Sequence, residues 1–120
     1  MKPIVLDYTQ DVELFNETAS AWAKEICGDR RECAVKSTQL RNFYEKVLEL
    51  YEKSEKEDFS EVLPFVKMLN SKVSYALGRK HVTHEFEQFM NQCVAQVQTK
   101  EQLKVFKLFF EAVVGFYKGK

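Results

Sequence analysis

The stretch "LRNFYEKVLELY", Leu40 to Tyr51, decides the fold class. Apolar side chains recur in it at intervals of three and four residues, which gathers them on one face of an α-helix. The spacing predicts an amphipathic helix with Ser37 or Thr38 as its N-cap, since both residue types accept hydrogen bonds from free backbone amides. Its predicted core-facing residues are Leu40, Phe43, Tyr44, Val47, Leu48 and Tyr51.

The same periodicity continues on both sides of this segment. Only four glycines and two prolines interrupt the 120 residues, and the apolar spacing stays helical throughout. We therefore predict an all-α fold, a single compact bundle of about five helices. The other predicted core faces are Val12, Phe15, Ala19, Trp22, Ala23 and Ile26 in the first helix; Val62, Phe65, Val66, Leu69, Val73, Ala76 and Leu77 in the third; Phe86, Phe89, Met90, Cys93, Val94 and Val97 in the fourth; and Leu103, Phe106, Phe109, Phe110, Val113, Val114, Phe116 and Tyr117 in the fifth.

Several residues are typical of helix ends. Gly28 is the predicted C-cap of the first helix, and Thr83 is the predicted N-cap of the fourth. The fifth helix begins with "TKEQ", in which Thr99 and Gln102 can satisfy each other's backbone amides as a capping box. Its apolar face is wider than one core stripe, so it is either central to the bundle, which we favour, or a contact surface for a partner.

The third helix contains two irregular positions. Pro64 cannot donate a backbone hydrogen bond, so we expect it in the first turn, or a break in the helix at that point. The pair Asn70-Ser71 weakens the middle of the segment, and two shorter helices are the alternative to one long helix. The charged run "EKSEKED", residues 52–58, is predicted to be a solvated loop in front of this helix.

Charge is sorted along a chain that is neutral overall. The net charge is zero and the pI is near 6.7, so global charge does not indicate nucleic-acid binding. Residues 70–84, "NSKVSYALGRKHVTH", nevertheless hold Lys72, Arg79, Lys80, two histidines and no acidic residue. Residues 52–61 hold five acidic residues against two lysines. Only local patches of this kind can attract a polyanion.

The length of the chain predicts one domain over residues 1–120. No apolar run approaches the ~18 residues of a membrane-spanning helix, and the N-terminus lacks the apolar run of a signal peptide. A cytoplasmic protein without membrane association is therefore expected. In that compartment the three cysteines, Cys27, Cys33 and Cys93, are expected to be reduced thiols.

Metal and catalytic motifs are weak. Cys27 and Cys33 can be combined with His81 and His84 into a zinc set, but five residues separate the cysteines, where zinc sites prefer two to four. No nucleophile turn and no glycine-rich phosphate loop is present in the sequence. We therefore expect no metal, no cofactor and no small-molecule substrate.

Two groups of cations suggest contact with RNA. On the third helix Lys72, Tyr75 and Arg79 stand at i, i+3 and i+7, where two cations bracketing an aromatic ring can hold a phosphate chain and stack a base. Lys36 and Arg41 lie near the start of the second helix, where free amides favour an anion. The alternatives are structural, namely a dipole interaction of Arg79 with its helix end and an ion pair of Arg41 on its own helix face, with Glu45. Lys80, beside Arg79, shares the first alternative.

Arg79 and His84 also admit a catalytic interpretation. An arginine and a histidine with four residues between them resemble the motif of HEPN ribonucleases, in which two helical subunits cleave RNA without metal. Histidine moves a proton near neutral pH, and arginine stabilises charge on phosphate. Here Lys80 follows the arginine. A HEPN-like ribonuclease is one alternative function, and a helical adaptor that binds only protein is another.

Three motifs together resemble one family. "STQLRNFYEKV", "VSYALGRK" and "FKLFFEAVVGFYK", in this order and at these distances, resemble the small subunit of type III-A CRISPR effector complexes. The resemblance covers residues 36–118. Residues 1–35 are similar in helical character only and are expected to form a variable N-terminal helix.

The resemblance implies a function. Members of that family are all-helical and non-catalytic, and several copies stack beside the backbone and large subunits of an antiviral ribonucleoprotein. They contact the backbone of the guide RNA–target RNA duplex, mainly its target strand, while base pairing reads the sequence. By the motifs, Arg41 and Arg79 are the expected RNA contacts. Lys36, Lys72, Lys80 and Tyr75 join them by the spacing argument above.

Overall fold

A computed structural model describes residues 3–117 as a helical bundle without strands in that range. A π-helical turn at Leu14–Thr18 leads into the first α-helix, and one interrupted segment supplies the third and fourth. The predicted all-α fold with five helical segments is confirmed, the third segment being divided. The α-helices are α1 Ala19–Cys27, α2 Ser37–Ser54, α3 Phe59–Lys67, α4 Leu69–Gly78, α5 His84–Gln96 and α6 Lys100–Phe116.

The core is built around α6, which packs against α1, α2 and the π turn. The rings of Phe89 and Phe110 meet edge to face with centroids 5.2 Å apart, and those of Phe86 and Phe89 lie 5.9 Å apart. Every predicted core residue of α5 is buried, and so is Val97 just beyond it. The wide apolar face of α6 is therefore mainly core, with Phe116, which is 46% exposed, as its exception.

The π turn changes which residues of the first segment are buried. The Thr18 amide bonds to the Glu13 carbonyl five residues earlier, so this turn holds one residue more than an α-turn. The buried face consequently includes Leu14, and Val12 is 83% exposed. The prediction that Val12 faces the core is wrong, because periodicity of 3.6 was carried through a turn that does not have it.

The third segment breaks at Met68. The alternative of two shorter helices is therefore the one observed, although the break lies before Asn70-Ser71. The expectation for Pro64 is wrong: the proline lies in the second turn of α3, and the helix continues to Lys67. Phe65, a predicted core residue, is 49% exposed.

The observed helix ends agree with most predicted caps. Gly28 ends α1 with a φ of 81°, a value that glycine adopts without strain. The Thr83 hydroxyl accepts from the Phe86 amide, and Thr99 and Gln102 form the expected capping box. The cap of α2 is different, because Lys36 occupies the N-cap and Ser37 is already helical. The predicted loop over 52–58 is also shorter, since α2 continues to Ser54.

The N-terminal segment is held against α5 by two glutamines. Gln92 Oε1 accepts from the Ile4 amide at 2.8 Å, and Gln96 accepts from the Leu6 amide and donates to the Ile4 carbonyl. Within residues 3–117 no helix has the length and apolar content to cross a membrane.

Cys27 and Cys33 form a disulfide, so the expectation of three reduced thiols is wrong for this pair. The five residues between the two cysteines, too many for a typical zinc pair, form a short loop that the disulfide closes after the end of α1. Cys93 is free and buried, and desolvation raises the pKa of its thiol well above the usual value.

Candidate nucleic-acid interface

A groove of about 730 Å³ lies between α4 and the part of α2 from Gln39 to Glu49. Its floor contains the buried side chains of Phe43 and Ala76. A second depression of about 420 Å³ continues it along the rest of α2 beside α3, and the two share Lys46, Glu49 and Lys72. The other residues of the larger groove are Gln39, Asn42, Glu45, Ser71, Tyr75 and His81.

An outward stripe of side chains follows the rim of these depressions. Its members recur at alternating intervals of three and four residues, so they stay on one side of α3 and α4 across the break at Met68. Phe65 and Tyr75 are exposed, with Tyr75 at 68%. The stripe is Phe65, Met68, Lys72, Tyr75 and Arg79.

Arg79 and Tyr75 form one unit. Nη1 of Arg79 donates to the Tyr75 hydroxyl at 3.3 Å, and the guanidinium carbon lies 5.6 Å from the ring centroid. An arginine held beside an exposed ring pairs a cation with a stacking surface, and single-stranded RNA binds to this combination.

The turn after α4 holds Lys80 in a left-handed conformation with a φ of 63°. The Lys80 amide bonds to the Leu77 carbonyl and the His81 amide to the Ala76 carbonyl, which is the Schellman arrangement that usually contains glycine. The backbone here is ordered by its own hydrogen bonds. It directs the chain so that His81 reaches the groove.

The candidate cations are not engaged by carboxylates. Within residues 3–117, Lys36, Arg41, Lys72 and Lys80 are exposed and make no side-chain hydrogen bond or ion pair. The alternative ion pair between Arg41 and Glu45 is accordingly not formed. The dipole alternative for Arg79 and Lys80 stands, because both follow the C-terminus of α4 directly.

The structure brings together only part of the predicted site. Lys72 and Tyr75 line the groove, and Arg79 is joined to it through Tyr75. Lys36 at the N-cap of α2 and Arg41 on the next turn lie outside the groove lining.

Sequence reasoning missed Lys46 and Asn42, which line the groove from α2. Their only signal in the sequence is a position off the core face of α2. That position does not reveal that α4 is the neighbour on this side.

The side chains of Arg79 and His84 have different neighbours and do not contact each other. The His84 side chain is 80% exposed in the first turn of α5, and its Nδ1 lies 3.6 Å from Glu87 Oε1. The Arg79 guanidinium is turned toward Tyr75 instead. No hydrogen bond joins Arg79 to His84 in the part of the chain that the structure describes.

The zinc set of Cys27, Cys33, His81 and His84, which the cysteine spacing already disfavours, is not formed. Cys27 and Cys33 are bonded to each other, which removes the thiolates that zinc would require. Among residues 3–117 no group of three or more histidine, cysteine, aspartate or glutamate side chains is placed to hold a metal ion.

The two ends of the bundle differ in charge. The first half of α2 borders α4 and its second half borders α3, so the two segments run antiparallel. The start of α2 and the end of α4 therefore share one end, which carries Lys36, Arg79 and Lys80. The opposite end, where α2 turns into α3, carries five acidic residues, of which Glu55 is paired with Lys100, against the two lysines Lys53 and Lys56.

Comparison with known proteins gives one match. The sequence model of the family described as Csm2 Type III-A matches residues 9–120. No curated protein and no solved structure matches the chain significantly. The family match takes in α1 as well as the three motifs of the sequence analysis. The chain therefore belongs to the Csm2 type III-A family, the small subunits of type III-A CRISPR effector complexes.

Proposed function

We propose that this subunit contacts the backbone of the guide RNA–target RNA duplex, mainly on the target strand, and carries out no catalysis. The observation that supports this most directly is the row of exposed cations without carboxylate partners beside Tyr75. Phosphate contacts of this kind position a strand without reading its sequence. Arg79, Tyr75 and Lys72 form the central part of the surface, with Lys80 at its end.

Arg41 and Lys36 extend the same surface around the start of α2. Neither lines the groove, and both are exposed and without a carboxylate partner. They are suited to contact phosphates on the neighbouring turn of a duplex. The residues that line the groove do not extend to those phosphates. Each such contact adds to affinity through counterion release.

Copies of the subunit stack head to tail in this proposal. The basic end and the acidic end of the bundle are complementary, so successive copies in one direction bring opposite charges together. A chain with zero net charge is suited to such stacking because neighbouring copies do not repel each other strongly. Backbone and large subunits of the effector complex are the other partners, in cytoplasmic antiviral defence.

The absence of catalysis is supported by the orientation of Arg79 and His84. A HEPN-like site needs both side chains at one phosphate, whereas Arg79 stacks beside Tyr75 and His84 lies near Glu87. The family to which the chain belongs is that of a structural subunit. No observation favours the ribonuclease alternative over the binding function.

The test uses purified protein and an end-labelled single-stranded RNA in the absence of metal, run on native and denaturing gels across a salt series. We expect intact RNA that shifts at low salt and is released at high salt. Arg79→Ala should lower the salt slope by about 0.7 for every RNA sequence. The matched control is Lys56→Ala, which removes a cation at the acidic end.

Two outcomes would overturn the proposal. If the wild-type protein cleaves the RNA and the His84→Ala variant leaves it intact, the protein is a HEPN-like ribonuclease. If neither the isolated subunit nor the assembled complex shows RNA contact by this subunit at any salt concentration, the remaining function is that of an adaptor that binds only protein.

A further inference from the structure

The groove between α2 and α4 has the layered composition of a pocket for a planar ligand. Its floor is apolar, because Phe43 and Ala76 are buried there. Lysines stand at its rim, at positions 46 and 72. A volume of about 730 Å³ lies within the range of small-ligand pockets.

The walls of the groove carry hydrogen-bonding groups that the fold does not use. The side-chain amides of Gln39 and Asn42 make no hydrogen bond within residues 3–117. The Ser71 hydroxyl donates to the Met68 carbonyl, which leaves its oxygen free to accept. Donors and acceptors over an apolar floor match the edge and the face of a nucleobase.

Two carboxylates decide how a strand can enter. Glu45 and Glu49 line the groove together with the amides. They repel phosphate, so the backbone of a strand is favoured along the rim at Lys46 and Lys72, with its base turned inward. Ionised carboxylates only accept hydrogen bonds, so two of them together favour a base whose amino group offers two N–H donors over uracil, which has the single donor N3–H.

We propose that this groove holds one unstacked base of an RNA strand and prefers a base with an exocyclic amino group over uracil. The inference rests on the proposed RNA contact and adds a base preference to it. Glu45 and Glu49, one helical turn apart on α2, accept from the amino group, and Asn42, three residues before Glu45, pairs with the adjacent ring nitrogen or oxygen. The phosphate contacts of Arg79 remain independent of sequence.

Cytosine and uracil form the sharpest pair of probes, because they share ring size and differ at the amino group and adjacent nitrogen. We would measure fluorescence anisotropy with labelled oligocytidine and oligouridine of roughly 15 nucleotides at low salt. One additional hydrogen bond to a charged acceptor predicts a preference for oligocytidine of about tenfold or more.

Variants locate the preference. Glu49→Gln should reduce the ratio of the two affinities toward one, because the amide is no longer an acceptor-only group. Glu52→Gln, which changes the same charge on the same helix outside the groove, should leave the ratio unchanged. In a heteronuclear NMR spectrum, the side-chain amide signals of Asn42 and Gln39 should shift on addition of oligocytidine.

The possible failures are distinguishable. Equal affinities for the two oligomers in the wild-type protein would overturn the base-binding groove and leave the phosphate contacts intact. A preference that survives Glu49→Gln would place its origin elsewhere and overturn the assignment. No binding of either oligomer, alone or in the assembled complex, would overturn both this inference and the proposed function.

Discussion

The lysines of α6 and the cations of α4 carry the same charge but occupy different environments. Lys100 lies 2.7 Å from Glu55, and Lys107 lies 3.4 Å from Glu111 and 5.7 Å from the centre of the Tyr51 ring. Lys72 on α4 has no such partner in the described chain, and Arg79 has only Tyr75. Lys100 and Lys107 of α6 are therefore paired with carboxylates inside the molecule, whereas Lys72, like the exposed Lys104 of α6, has no carboxylate partner within residues 3–117. Counting charges in a sequence does not separate these two cases, because the partner comes from another helix.

The two helices also differ in what their aromatic residues do, and this difference gives the largest expected effect. Phe110 is buried and in edge-to-face contact with Phe89, whereas Tyr75 is exposed. Phe110→Ala should lower the free energy of unfolding by about 3–5 kcal/mol through lost burial and a cavity. Tyr75→Ala should change it by no more than about 0.5 kcal/mol. Urea unfolding followed by circular dichroism measures both, and a large loss for Tyr75→Ala would show that the α4 face is structural.

The next largest effect concerns the loop that leads to Lys36. Its start is fixed by the disulfide, and the Tyr117 hydroxyl donates to the Val35 carbonyl at 2.6 Å. Cys27 and Cys33 are six positions apart, a short loop whose opening by reduction should cost about 2 kcal/mol of unfolding free energy. Urea unfolding with and without reductant measures this cost. The Cys33→Ser variant is the control, because its stability should not respond to reductant; equal wild-type stability under both conditions would contradict the prediction.

A smaller effect is expected at Lys80, where stability and binding are predicted to change in opposite directions. A left-handed lysine is strained where glycine is not, so Lys80→Gly should raise the free energy of unfolding by about 1 kcal/mol. The same change removes one free cation and should lower the salt slope for RNA. Lys80→Gln keeps a side chain that is strained in this conformation but loses the charge, so it should lower the salt slope without raising the free energy of unfolding. A destabilised Lys80→Gly protein would show that the lysine side chain supports the turn.

The parts of the fold that could be predicted from sequence are those whose helices are regular. Burial in α5 and α6 follows the apolar period because each of these helices is continuous and packs on several neighbours. Val12 and Phe65 were misplaced where a π turn and a helix break interrupt the period. Pro64 and Asn70-Ser71 marked the third segment as irregular but did not give the residue at which it breaks, and no proline or glycine marks the π turn.

The candidate site was predictable only along single helices. Lys72, Tyr75 and Arg79 share a stripe of one segment, and spacing alone identifies that stripe. The groove needs α2 as a second wall, and Asn42 and Lys46 join the site only because α2 lies across the groove from α4. The sequence also did not show which cations lack a carboxylate partner. Its spacing allows an ion pair between Arg41 and Glu45, and that pair is not formed.

The smallest expected effect is a change of pKa in the ion pair between α6 and the end of α2. The hydrogen bond from Lys100, and after it that from the Tyr51 hydroxyl, lower the pKa of Glu55 below its usual value. A carboxylate whose pKa is lower in the folded state stabilises the fold fully above its ordinary pKa and loses that contribution as the pH falls through the lowered value. Lys100→Met should therefore raise the pKa of Glu55. The hydrogen bond from Tyr51 remains, so the pKa should stay partly lowered. Added salt should reduce the difference in this pKa between the wild-type protein and the variant.

Titration of the glutamate side-chain carboxyl carbons by NMR follows this shift directly. Lys72→Met is the matched control on the α4 face: it removes a cation that has no carboxylate partner, so the pKa of Glu55 should stay at its wild-type value. If Lys100→Met leaves the pKa of Glu55 in place, the lysine does not hold the carboxylate in solution. Lys100 would then be as free as Lys72, and the lack of a carboxylate partner would no longer distinguish the cations proposed to contact RNA.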